Sequence, residues 1–496
     1  MTRDRTLAAC ACLLIASAIA APVSALELER CTLSGGMGIA SVEARCGWLS
    51  RPENPDDPDG AAIDLRIAVV PALSPNPKPD ALTVINGGPG GSSVNMYADM
   101  AATFSSIRRE RDILILDQRG TGESNPLDCE RLEDANLDQS EASVREATLA
   151  CLKDLPGDPR FYTTSVAVQD LEAARQALGY EALNVYGVSY GTRVAQHYAR
   201  RFPTVVRTLI IDGVAPPEVP LGPNAALNAQ RTLSRLFDRC QSDAACAERF
   251  PDLQAQLDEL DARLGDAAVP VTVAHPVTGI QTPLDVTRTH LLITLRMLSY
   301  APETARLIPL IIDEAAASGN FVPLASNALR IEKELTGAIR FGMHNSVICT
   351  EDAPFFGELD TAALEATYIG PEQARSLVTI CESWPEGPMD DDLRSPLTVD
   401  VPTLVLSGEE DPITPPEYGD MADEALPDSL HLIGAGQGHG VIGRGCFPRL
   451  ASEFVDAGSL AGLEVDCVER LTHPSFFLNL MGPVSPVETD ASEPAP

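Results

Sequence analysis

The stretch LNVYGVSYGTRVAQHYARRF, residues 183–202, constrains the fold more than any other part of this 496-residue chain. An apolar run enters Gly187, Val188, Ser189, Tyr190 and Gly191, and a helical pattern begins at once. This order predicts a buried strand, a sharp turn and a helix, with Ser189 strained at the tip. Glycines at both flanking positions let strand and helix approach each other without side-chain bulk.

The surrounding sequence has the rhythm such a turn needs. ALTVIN (81–86), DILILDQRG (112–120), ALNVYG (182–187) and RTLIIDG (207–213) are short, continuously apolar and end in polar or glycine loops. Strands buried on both faces have this pattern. Between them SVAVQDLEAARQALG (165–179) has apolar residues at helical spacing and a closing glycine. Alternating helices and buried strands imply a parallel sheet with right-handed crossovers. Upstream, SVEARCGWLS (41–50) and AAIDLRIAVVPA (61–72) flank a run of turn formers and read as two antiparallel strands. From about Pro216 to Pro396 helical patterns dominate, with one extended piece at VPVTVAHPV (269–277), and the strand rhythm returns at 401–416 and 429–440. The expected class is α/β, with core segments at 26–215 and 397–482, a mainly helical cap at 216–396, and a Pro-rich, acidic, disordered tail at 483–496.

The amino end reads as a signal peptide over 1–25. Arg3 and Arg5 precede the apolar run 7–20, and Val23, Ser24 and Ala25 suit cleavage before Leu26. The run is too short to cross a bilayer, and the cysteine of LAAC (7–10) sits too early for lipid attachment, so no stable membrane anchor is expected. A secreted or periplasmic location makes the cysteines legible. Of twelve, Cys10 and Cys12 fall in the leader, and the even remainder argues for disulfides. Spacing alone does not settle their pairing. Our hypothesis pairs neighbours in order: Cys31 with Cys46, Cys129 with Cys151, Cys240 with Cys246, Cys349 with Cys381, and Cys446 with Cys467. The net charge of −35 repels nucleic acid and anionic membranes, and it implies an acidic solubilising surface or attraction of cationic substrates.

A serine hydroxyl becomes a useful nucleophile when a histidine takes its proton and a carboxylate holds that histidine. After a strand-turn-helix serine the expected chain order is Ser, Asp, His. Asp411 lies just after the strand ending at Gly408, and His439 lies in the glycine-rich loop after the next strand. Loops at the carboxyl ends of parallel strands converge on one sheet edge. Glu409 and Glu410 are alternative carboxylates, while His431 within a strand and His197 on the following helix read as structural. An oxyanion needs donors, one from the Tyr190 N–H and the other from TVINGGPGGSS (83–93). A nucleotide cradle is disfavoured there: Ser93 stands where a third glycine would be, no P-loop lysine follows, and Pro89 lacks an N–H. No metal or organic cofactor is implied.

GGPGGSS, DQRGTGES, GVSYGTR, GEEDPITP and GHG, in this order, resemble the α/β-hydrolase peptidases related to proline iminopeptidase, especially the secreted tripeptidyl-aminopeptidase branch. The resemblance implies an α/β-hydrolase fold with Ser189 as nucleophile, Asp411 as orienting acid, His439 as base, and Gly88 and Tyr190 as oxyanion donors. It also implies peptide substrates with a free amino terminus, cut near that end, with cap carboxylates meeting the ammonium group. Asn86 departs from the histidine usual in proline iminopeptidases. An ammonium group taken from water needs a carboxylate, and Glu351 and Asp352 in HNSVICTEDAPFF (344–356) are candidates; a solvated turn or helix cap is the plainer reading. Arg119 supports the active-site loops or a structural ion pair. The expected function is a secreted serine exopeptidase, the alternatives being a carboxylester hydrolase and a catalytically silent binding protein.

Overall fold

The computed structural model describes residues 26–35, 40–129, 140–275, 278–335 and 337–483. The signal-peptide expectation and, beyond its first residue, the tail expectation lie outside the described residues. The strands in chain order are β1 (Glu29–Ser34), β2 (Ser41–Pro52), β3 (Ala62–Val70), β4 (Ala81–Ile85), β5 (Ile113–Leu116), β6 (Leu183–Val188), β7 (Val206–Asp212), β8 (Val269–Ala274), β9 (Gln281–Val286), β10 (Thr403–Gly408) and β11 (Ser429–Gly434). Nine form one sheet in the order β1-β2-β3-β5-β4-β6-β7-β10-β11. From β5 to β11 neighbours are parallel, whereas β1, β2 and β3 are attached antiparallel. β1 carries no apolar run, since only Leu33 is buried, and its place comes from pairing with β2, where Glu29 faces Cys46.

The parallel strands are apolar on both faces because both faces are covered. In β4, Ala81 and Ile85 join one core with Val168, Leu171, Tyr190 and Val194, while Leu82 and Val84 join another with Tyr97, Phe104 and Phe454. The helix Thr164–Leu178 ends at Gly179, whose φ of 77° lies in the left-handed region. Apolar strand and helix faces thus close a three-layer core whose carboxyl edge carries the loops after β4, β6, β7, β10 and β11.

The chain between β7 and β10 builds most of its helices around a separate apolar cluster that includes Leu236, Leu260, Leu291, Leu295 and Ile312. The extended piece found in the sequence is half of a hairpin. β8 pairs antiparallel with β9, whose sequence QTPLDV contains Pro283 and alternates weakly, which hides it from pattern reading. A further segment, helix Phe341–Val347 with the turn Ile348–Asp352, packs Met343 and Val347 into the main core. All five disulfides join cysteines in the order proposed above. Among the described residues no helix is long and apolar enough to cross a membrane.

Arg119 takes its structural reading. Its Nε and Nη2 donate to the two Asp170 oxygens at 2.7 and 3.0 Å, and Nη1 donates to the carbonyls of Glu53 and Phe161. Both partners are buried, and Asp170 keeps a second, partly exposed partner in Arg51, whose Nε donates to Oδ1 at 3.1 Å. Removing Arg119 therefore takes its two bonds from Asp170 and leaves the Glu53 and Phe161 carbonyls without this donor, and Arg119→Ala is expected to lower unfolding free energy by about 1.5–3 kcal/mol in urea titration; a loss under about 1 kcal/mol would contradict this assignment.

Candidate active site

Ser189 occupies the expected strained turn, with φ 58° and ψ −130°. A non-glycine residue there costs on the order of 1–3 kcal/mol, and the surrounding packing maintains it. A Cβ on Gly187 would run into the Gly191 carbonyl, and one on Gly191 into the carbonyls of Ile85 and Asn86. Gly87 serves the same end, because a Cβ there would sit 2.6 Å from Ser189 Cβ.

His439 Nδ1 donates to Asp411 Oδ2 at 2.7 Å, the tautomer that leaves Nε2 with a free lone pair. Asp411 is fully buried and well satisfied: Ile413 and Thr414 N–H groups donate to Oδ1 at 2.9 Å, and the Thr414 hydroxyl donates to Oδ2 at 2.8 Å. Burial pulls the His439 pKa down, but the charge and hydrogen bond of Asp411, helped by Asp212, raise it above its ordinary value. The alternative carboxylates point elsewhere. Glu409 pairs with Arg235 and His473, and Glu410 with Arg239 and His473. His431 is held by Asp420 and Ser407. From the cap, the Tyr300 backbone carbonyl accepts the His439 backbone N–H at 2.9 Å, and the Tyr300 ring sits edge-on to the imidazole at 5.3 Å.

Asp212, which the sequence reading passed over, closes β7 and is fully buried. Its backbone carbonyl accepts the Ser189 N–H at 3.0 Å. Its carboxylate accepts the N–H groups of Val441 and Ile442, just after His439, each at 2.9 Å, and the Tyr186 hydroxyl at 3.1 Å. Burial pushes its pKa up to about 6, against those N–H bonds and the charge of His439. One residue thereby ties the Ser189 turn to the His439 loop. The available signal was an apolar strand ending in Asp-Gly at the sheet's carboxyl edge.

The glycine-rich loop after β4 is shaped from both sides. Asn86 Oδ1 accepts the Gly87 N–H at 2.7 Å and its Nδ2 donates to the Ser92 carbonyl at 2.9 Å. Asp117 accepts the Ser92 hydroxyl and the Val94 N–H, capping the helix Ser93–Met100. Gly88 (φ 116°) and Gly90 (φ 104°) adopt conformations that suit glycine. Among the described residues neither the Gly88 nor the Tyr190 N–H has a hydrogen-bond acceptor, so both are free to donate to an oxyanion. The cap completes the loop: the Arg340 N–H donates to the Gly90 carbonyl at 3.1 Å, and His344 Nδ1 donates to the Pro89 carbonyl at 3.3 Å. Burial brings the His344 pKa down to about 4, so the ring is neutral with Nε2 as an acceptor.

Gly88, Ser189 and Tyr190 meet cap residues Leu221, Arg296 and His344 around a pocket of about 110 Å³. Glu351 and Asp352 do not line it. Both are fully buried. Glu351 accepts the Thr164 N–H at 2.7 Å and hydroxyl at 2.8 Å, and that hydroxyl lies 2.7 Å from the Tyr190 hydroxyl. Asp352 pairs with Arg193 at 2.9 Å and accepts the Leu221 N–H at 2.8 Å. Burial pushes the Glu351 pKa up to about 7, opposed by the Arg193 charge. Their oxygens are committed to internal partners. One group among the described residues, His197 with Asp390 and Asp392, has metal-ligand proximity, but Arg201 pairs with both carboxylates and would compete with a cation.

A family model described as the alpha/beta hydrolase fold matches residues 80–269, and another, described as TAP-like protein, matches 366–467. With the sheet and the elbow, this gives the chain the α/β-hydrolase fold. Its carboxyl-terminal part is similar to TAP-like proteins, and tripeptidyl aminopeptidases are among the relatives it resembles. The tripeptidyl aminopeptidase of Streptomyces lividans is 29% identical over 191 residues, 35% of this chain and 36% of that protein. Serine protease Hip1 of Mycobacterium tuberculosis H37Rv is 30% identical over 220 residues, 41% and 42% of the two chains. Carboxylesterase B of Mycobacterium tuberculosis CDC 1551 is 35% identical over 195 residues, 36% and 37%. The chain spans about two fifths of the length of the relatives it matches.

If Asp411 is the orienting acid, Asp411→Asn lowers kcat roughly 10⁴-fold, whereas Glu409→Gln and Glu410→Gln stay within a few-fold. The protonated imidazole cannot accept the serine proton, so kcat/KM should fall on acidification with a midpoint above about 6.5. An acid limb below about pH 6, or equal losses in all three variants, would contradict the assignment.

Proposed function

We propose that this protein is an exported serine exopeptidase that releases residues from the free amino end of peptides through an acyl-enzyme. Ser189 attacks the scissile carbonyl while His439 takes its proton, and the N–H groups of Gly88 and Tyr190 stabilise the oxyanion. His439 then protonates the departing amine, and water, activated by the same base, frees the acyl group. The single observation that carries this reading is the Asp411–His439 pair set on the same sheet edge as the strained Ser189 and the unpaired amides. Peptidases among the relatives favour a peptide over other acyl substrates. The five disulfides favour an oxidising compartment.

With Glu351 and Asp352 committed internally, an ammonium group in the pocket would meet neutral acceptors such as His344 Nε2. A carboxylester hydrolase is the second reading, favoured by the absence of a carboxylate from the pocket lining and by the carboxylesterase relative. Matched peptides with free or acetylated amino ends, with products identified by mass, separate the two. Cleavage of the free-amine set at least tenfold faster is expected. Equal cleavage of both sets, or hydrolysis of esters alone, would reject the amino-end reading.

A further inference from the structure

Among the described residues the pocket beside Ser189 has one charged lining residue, Arg296, in the last turn of the helix Arg288–Leu298. Its Nη1 donates to Gln373 Oε1 at 2.8 Å, and Gln373, from the helix Glu372–Cys381, also lines the pocket. That neutral partner orients the guanidinium without cancelling its charge. Among the described residues Arg296 has no carboxylate within ion-pair distance, in contrast to its neighbours. Arg288 on the same helix pairs with Asp261, and Arg231, Arg235 and Arg239 on the helix Asn224–Ser242 pair with Glu417, Glu409 and Glu410. A guanidinium with donors to spare in a partly enclosed site matches a carboxylate in charge and geometry.

The place of the pocket says which part of a substrate it takes. The leaving group must lie beside the base that protonates it. The pocket is lined by Ser189 and both oxyanion residues but not by His439, so it lies on the acyl side of the scissile bond. We propose that Arg296 selects substrates with an anionic acyl portion, namely an aspartate or glutamate side chain among the residues released. Only the words "residues released" rest on the peptidase reading; recognition of an anionic acyl group does not.

Two substrate series test this. One is a free-amine peptide pair differing as Glu against Gln at the residue bearing the scissile carbonyl. The other is a pair of p-nitrophenyl esters, the glutaric acid monoester against its carboxamide analogue. In the series that the enzyme cleaves, the carboxylate member should have a kcat/KM about tenfold higher or more. Arg296→Gln should bring that ratio toward one, Arg296→Lys should retain part of it, and Arg296→Glu should push it below one. Because each ratio is taken within one protein preparation, partial misfolding does not mimic the result. If only esters are hydrolysed, the amino-end reading fails while the ester ratio still decides on Arg296. A wild-type ratio near one, or a preference that survives Arg296→Gln, overturns the proposal.

Discussion

The Asp212 carboxylate holds the loop that follows His439 through Val441, 229 residues further along the chain, at the end of the strand whose carbonyl holds the Ser189 N–H. A buried carboxylate is costly unless its lone pairs are filled, and here two loop N–H groups and the Tyr186 hydroxyl fill them. The cost of burial is therefore offset only when the loop following His439 is in place. Through its own carbonyl the same residue also holds the Ser189 N–H, so elbow and base loop share one anchor on β7. Asp411 accepts from the imidazole Nδ1, while the loop that carries the ring is held at Val441 and Ile442.

The cap acts on the site through one segment. Arg340 and His344 brace the glycine loop, and Glu351, four residues after Val347, reaches Thr164 and through it the Tyr190 hydroxyl. The Cys349–Cys381 disulfide ties this segment to the helix that carries Gln373 and Leu377 in the pocket wall. The same segment thus touches both elements that supply the oxyanion donors.

Much of this was legible in the sequence because the signals are local. Apolar runs marked the parallel strands, the glycines around Ser189 marked the elbow, and chain order picked out Asp411 and His439. What escaped depends on tertiary position. Asp212 looks like an ordinary strand-ending Asp-Gly, and nothing in its neighbourhood announces Val441. Glu351 and Asp352 read as available acids because Arg193, 159 residues before Asp352, is invisible as a partner until the cap is folded. β9 lacks a clear alternation, and β1 has a single buried residue. Asn86, odd beside the resembling family, is accounted for locally as a brace that holds the Gly87 N–H and the Ser92 carbonyl.

The central claim is that Asp212 positions Ser189 and His439 together, its carbonyl holding the Ser189 turn and its carboxylate the loop after His439. The most direct measurement is the second-order rate at which a fluorophosphonate labels Ser189 in Asp212→Asn, with circular dichroism confirming a folded protein. The Val441 N–H lies 2.9 Å from both carboxylate oxygens, so in either flip it faces the amide nitrogen, which displaces the loop after His439, and misplacement on the order of 1 Å can cost about a hundredfold. The account predicts a labelling rate reduced by roughly that factor. A folded variant labelled within about threefold of the wild-type rate would contradict it.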